Sequence, residues 1–138
     1  MKELFQEIAN QLGAVFGSGG FVEFDDLAET ITDPNQVVMF YECYDKVLMG
    51  VNAAGGINNT FPFELHIGKL STLEQDVEIR LPIMNACQLE ANRVLIKLSQ
   101  DAEVTGCYTI PFLSGTSSIL AGKKMFGTYK GDPLSRCI

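Results

Sequence analysis

Along residues 2–12, apolar side chains recur at Leu4, Phe5, Ile8, Ala9 and Leu12, the spacing of one helical face. Lys2, Glu3, Gln6, Glu7 and Asn10 take the other side. The pattern predicts an amphipathic helix ended by Gly13, with Gly17-Ser18-Gly19-Gly20 as a flexible connection behind it. Phe21-Val22-Glu23-Phe24 reads as a short strand, and an acidic stretch then runs to the turn signal Asp33-Pro34-Asn35. Val37 to Tyr44 is rich in β-branched and aromatic residues and is bounded by turns, which makes it the clearest strand of the chain. Lys46–Val51 continues the sheet after a bend at Asp45. Asn52–Thr60, with Gly55-Gly56 and Asn58-Asn59, is the longest loop and reads as a mobile hairpin tip. Phe63, Leu65 and Ile67 then alternate with Glu64 and His66, the period of a half-buried strand with the histidine on its surface side.

Ser71-Thr72-Leu73-Glu74 has the form of a capping box. Behind it Leu73, Val77, Leu81, Met84, Ala91, Val94, Leu95 and Leu98 form an apolar stripe reaching to about Asp101. Pro82 cannot donate a backbone hydrogen bond, so it kinks one long helix or separates a strand at Val77–Leu81 from a helix that starts beside it. The single kinked helix is the favoured expectation. Cys107–Leu113 reads as an edge strand because of Pro111, and residues 119–130 as the last strand. The order of elements predicts an α+β fold. A mainly antiparallel sheet packs against an N-terminal helix and one long central helix, in a single domain over residues 1–130 with a tail at 131–138.

The whole chain has 138 residues, 46% of them hydrophobic and 20% charged, which excludes a disordered polymer and leaves room for one core. Ten basic against seventeen acidic residues give a net charge of −7, the wrong sign for a generic nucleic-acid module. The N-terminus is interrupted by charge at once, unlike a secretory leader, and no apolar run reaches the roughly 18 residues of a membrane span. Cys43, Cys87, Cys107 and Cys137 form no CxxC pair and read as reduced, mostly buried thiols. Gly115–Lys124 has six residues between its glycines where a phosphate-binding loop has four, and Lys124 where that loop needs a hydroxyl. Asp25, Asp26, Glu29 and Asp33 lack the alternation and glycine of a calcium loop. His66, the single histidine, is the one candidate imidazole base, and a Cys–His dyad is the one catalytic arrangement that composition permits. The expectation is no catalytic residue, no metal and no cofactor.

Charge is distributed unevenly. Residues 1–45 carry nine acids and only Lys2 as a base, whereas the last thirty-five carry Lys123, Lys124, Lys130 and Arg136 against Asp132 alone. Either folding brings the two ends together within one molecule, or the negative front of one copy meets the positive rear of the next, the heterologous contact that closes rings. The layout itself is a short amphipathic helix, an acidic linker, a strand, a Gly/Asn loop, the strand around Phe61–Ile67, a long helix from Ser71 and two closing strands. It resembles the small head–tail connector and tail-terminator (tail-completion) proteins of tailed bacteriophages. The resemblance implies a compact, non-enzymatic virion protein that forms a ring with copies of itself and touches other neck or tail proteins, with no membrane and no sequence-specific nucleic acid. It implicates Asp25, Asp26, Glu29, Asp33, Lys123, Lys124, Lys130 and Arg136 as contacts between subunits. It also implicates the loop Ala53, Ala54, Gly55, Gly56, Ile57, Asn58 and Asn59 as a surface for partners. Two other classes remain open: a cytosolic small-ligand-binding or regulatory module, and a small thiol or hydrolytic enzyme built on His66 and a cysteine.

Overall fold

A computed structural model describes residues 1–43, 46–71, 77–100, 102–115 and 118–131. Among them lie three helices, α1 (Lys2–Leu12), α2 (Phe21–Thr30) and α3 (Val77–Ser99). Six strands accompany them: β1 (Val15–Gly19), β2 (Val38–Glu42), β3 (Leu48–Val51), β4 (Ile57–Ser71), β5 (Glu103–Ser114) and β6 (Ile119–Lys130). The strands form one sheet in the order β1-β2-β4-β6-β5, with β3 paired to β4. Only β1 and β2 run parallel; every other pair is antiparallel. The architecture is the expected α+β sheet with its N-terminal and central helices, extended by a β1–α2–β2 crossover.

Helices pack on both faces of the sheet. On one face Leu4, Phe5, Ile8 and Ala9 of α1 and Cys87, Ala91, Val94 and Leu98 of α3 pack on Met39, Tyr41, Phe63, Leu65, Ile67, Met125 and Tyr129. On the other, Phe24, Ala28 and Ile31 pack on Val38, Phe40 and Leu120. Strand β2 therefore sends Met39 and Tyr41 one way and Val38 and Phe40 the other, and its near-continuous apolar run is that of a strand buried on both sides. Phe5 anchors α1, with its ring centroid 5.3 Å from Tyr41 and 5.2 Å from Phe63. Gly13 ends that helix at φ 72°, a left-handed position that glycine takes without strain.

Several expectations are corrected. Phe21–Phe24 opens a helix, not a strand: Phe24, Ala28 and Ile31 follow the helical period, and the Gly20 amide donates to the Glu23 carboxylate at 3.0 Å. The glycine connection is itself strand β1, and a Cβ on Gly17 would come within 2.6 Å of the Leu27 side chain, so glycine lets α2 lie close on the sheet. Within the described residues the central helix starts at Val77, and Ser71 belongs to β4, paired with Ile119; the remainder of the capping box lies outside the described residues, as do Asp101 and the tail from Asp132. Val77–Leu81 is helical, so the strand-plus-helix alternative falls, and α3 continues through Pro82. Leu81, expected in the core, is 54% exposed. The expected loop is shorter than Asn52–Thr60, because Ile57 to Thr60 already pair with β3.

Phe5→Ala is expected to cost about 3–5 kcal/mol through lost packing and a residual cavity. In the unassembled protomer Leu81→Ala, at a position 54% exposed, is expected to cost no more than about 1 kcal/mol. Urea denaturation of the two variants checks the difference.

Candidate functional site

Strand register gathers four titratable groups on the α2 face of the sheet. Phe40 faces α2 and pairs with His66, and His66 pairs in turn with Lys124. Glu42 lies two residues on from Phe40, and Glu64 two residues before His66, so period-two alternation places both carboxylates on that face. Lys124 bridges them, its Nζ 2.9 Å from Glu42 Oε1 and 3.2 Å from Glu64 Oε2. The same ammonium lies 5.2 Å from the Phe126 ring centroid, and Tyr108 stacks on Phe126 at 4.8 Å. His66 is not the surface histidine expected of its strand. Its side chain is only 12% exposed, with ring centroids of Phe112, Phe24 and Phe40 at 4.8, 5.3 and 6.4 Å. Among the described residues its Nδ1 is buried without a hydrogen-bond partner.

These surroundings set the protonation states. Burial pushes the His66 imidazole down to about 4; the positive charge of Lys124 adds to the effect and Glu64 opposes it. His66 is thus neutral at pH 7, and the 3.5 Å approach of Nε2 to Glu42 is a contact between a neutral ring and a carboxylate. Burial opposes ionisation of Glu42, yet its hydrogen bonds to Glu64 and Lys124 hold it below the usual carboxylate range. Glu64 moves up, through its hydrogen bond to Glu42 and then burial. Burial also opposes the charge on Lys124, but its two carboxylate partners overcome this and raise it. On the opposite face, burial raises the Cys87 thiol to about 11 and lifts Cys107 as well. An imidazole of such low basicity is a weak proton acceptor, Lys124 stays charged, and the Cys87 and Cys107 thiols stay protonated near pH 7.

A cleft of about 400 Å³ opens beside the cluster, lined by Phe21, Phe24, Phe40, Glu42, Cys43 and His66 among others. Cys43 thus shares a cleft with His66, whereas Cys87 and Cys107 pack on the α1/α3 face of the sheet.

Elsewhere the surface is apolar where strand pairing runs out. The β4–β6 ladder ends at Thr60 and Lys130, so Ile57–Asn59 project with β3 as a two-stranded arm, tied at its base by the Gly131 amide to the Asn59 carbonyl at 3.4 Å. The turn at the tip is built rather than loose. Asn52 Oδ1 accepts from the amides of Ala54 and Gly56 at 3.0 and 2.8 Å, and the Asn52 amide donates to Gly56 at 2.8 Å. Met49, Val51 and Ile57 on this arm are 77%, 74% and 71% exposed. A second apolar strip lies on α3, where Leu81, Leu89 and Ile96 are exposed on the side away from Cys87, Ala91, Val94 and Leu98. Its sequence signal is ambiguous, because α3 carries apolar residues on two faces.

The residues implicated by sequence are dispersed. Asp25, Asp26 and Glu29 lie on α2, with Asp26 and Glu29 exposed, and Asp33 follows in a turn where its carboxylate accepts the Asn35 amide at 2.9 Å. Lys124 is engaged by Glu42 within the molecule, so part of the front-to-rear charge asymmetry is satisfied internally. Lys130 faces Glu103 at 3.9 Å, Lys123 is half-buried on β6, and Arg136 lies outside the described residues. Of the implicated loop, Ala53–Gly56 form the turn, while Ile57, Asn58 and Asn59 belong to β4. No helix among the described residues is long and apolar enough to cross a membrane. No family model matches the chain, and no curated protein or solved structure is significantly similar to it.

Between pH 6.5 and about 4 the unfolded chain binds a proton at His66 that the folded chain refuses, so stability falls as pH falls through that window. The loss is on the order of 3 kcal/mol. His66→Phe, which keeps an aromatic ring in the cage, is expected to flatten this part of the profile. Urea unfolding at pH 7, 6 and 5 checks it, and equal slopes for both proteins would exclude His66 as the source.

Proposed function

We propose that this chain is a structural virion protein that forms a ring at the neck or tail end of a tailed bacteriophage, joining head and tail through protein–protein contacts. The observation that carries this reading is the β3–β4 arm. A two-stranded ribbon is marginal on its own, and this one projects from the sheet with exposed apolar side chains. From Val47 to Thr60 there is no charged residue, so the arm lacks the lysines and acids that usually keep such an edge in water. Burial against a neighbour supplies the missing support. Ring assembly joins one surface of each copy to a different surface of the next, and the neck or tail end of a phage is where the layout resemblance sets such a ring. The direction in which burial and ion pairing shift His66, Lys124, Cys87 and Cys107 favours a structural role over a catalytic one.

The cleft beside His66 favours a second reading, a small-ligand-binding module. That reading expects a monomer whose melting temperature rises with a ligand.

Negative-stain microscopy of the purified chain separates the two. Wild type is expected to show closed rings, and Val51→Asp combined with Ile57→Asp to abolish them without changing the far-UV spectrum. Unassembled protein on the grids at high concentration and low salt would overturn the ring.

A further inference from the structure

We infer that the β3–β4 arm of one copy docks on the outward face of α3 in the next copy, across Leu81, Leu89 and Ile96. The inference rests on the ring reading and names the surfaces that make the contact. Viewed down α3, Leu81, Asn85, Leu89, Asn92 and Ile96 fall on one strip opposite the buried stripe, and none of them is charged. The arm has the same chemistry: Leu48, Met49, Val51 and Ile57 interspersed with asparagines, and no charge. The named residues of both surfaces are uncharged, with the Glu90–Arg93 ion pair at the margin of the strip, and the asparagine amides of either side can donate and accept across the contact.

The dimensions agree. Leu81 to Ile96 spans about 22 Å at a helical rise of about 1.5 Å per residue, and a strand of four residues with its turn lies within that length. Met49, Val51 and Ile57, which share one face of the arm, and the strip's three apolar side chains together expose on the order of 700 Å², to which flanking amides add. That is smaller than the roughly 1,200–2,000 Å² buried in a stable pairwise interface, so the contact gains from ring closure, in which each copy makes it twice. The rival acceptor is the middle of the edge strand β5, where Tyr108 and Ile110 are exposed. It is flanked by Lys124, Glu64, Glu103 and Lys130, which are ion-paired but would lose their water under a docked arm, whereas the five residues of the α3 strip are uncharged. Arm and strip are different surfaces of one chain, so each copy uses both and the contact propagates from copy to copy until it closes.

The test is a complementation by light scattering with wild type, Met49→Glu, Leu89→Glu and an equimolar mixture of the two variants. Both positions are exposed, and unchanged far-UV spectra and melting confirm the fold. Wild type is expected to form one large species and each variant alone a monomer. The mixture is expected to form pairs of twice the protomer mass, because the intact arm of Leu89→Glu meets the intact strip of Met49→Glu. Cross-linking with a zero-length-spacer diazirine at position 49 is expected to label α3 of the partner in wild-type assemblies. If Leu89→Glu assembles like wild type, the acceptor lies elsewhere and the pairing is overturned while the ring reading stands. If Met49→Glu still dimerises and Leu89→Glu does not, α3 pairs with α3 and the pairing is overturned. A mixture that stays monomeric assigns the two surfaces to separate contacts and likewise overturns the pairing. A monomeric wild type overturns the ring and the pairing together.

Discussion

Twelve successive residue pairs join β4 to β6, from Thr60 opposite Lys130 to Ser71 opposite Ile119. That ladder sets which face every neighbouring side chain occupies. It turns Phe63, Leu65, Ile67 and Met125 toward α1 and α3, and it places Lys124 beside His66 under α2. A slip of one residue would exchange the core face for the polar cluster. The ladder also has an end. Strand β4 begins at Ile57, three residues before β6 can pair with it, and this overhang with its partner β3 becomes the arm.

The polar cluster and the arm answer different needs of that sheet. Helix α2 covers only part of its face, and beyond Phe24 and Phe40 the sheet would meet water as bare apolar surface. Lys124, held between Glu42 and Glu64 and lying over Phe126, finishes that face with groups that satisfy one another. His66 sits at the boundary, neutral and enclosed by three aromatic rings. The arm has no such finish. Its turn is stitched by Asn52, so its shape is set in advance, and its apolar side chains remain exposed. A preformed arm loses less conformational freedom on docking than a disordered loop would.

Much of this fold is legible in the sequence, and the exceptions share a cause. Helix α1 and the Phe63–Ile67 part of β4 follow from apolar periodicity, β2 follows from its β-branched and aromatic run between turns, and β5 is marked as an edge strand by Pro111. Helix α2 is disguised: Phe24, Ala28 and Ile31 are spread among acids, while exposed Phe21 and Val22 imitate a strand. Strand β1 is rich in glycine, and the close seating of α2 over Gly17 is a tertiary fact with no local signal. Leu81 reads as a core residue because α3 is apolar on two sides, and periodicity alone does not say which side is inward. The Glu42–Glu64–Lys124 bridge joins three strands far apart in sequence, so no spacing rule reaches it. The uncharged run from Val47 to Thr60 does carry a signal of the arm, since its composition lacks the charges of a solvated hairpin.

The central claim is that the arm leaves each protomer incomplete until it meets another. Native mass spectrometry of the intact chain tests this most directly. A single dominant species is expected, with a mass that is a whole-number multiple, greater than two, of the 15.1 kDa protomer. A spectrum dominated by the 15.1 kDa protomer at high protein concentration would contradict it.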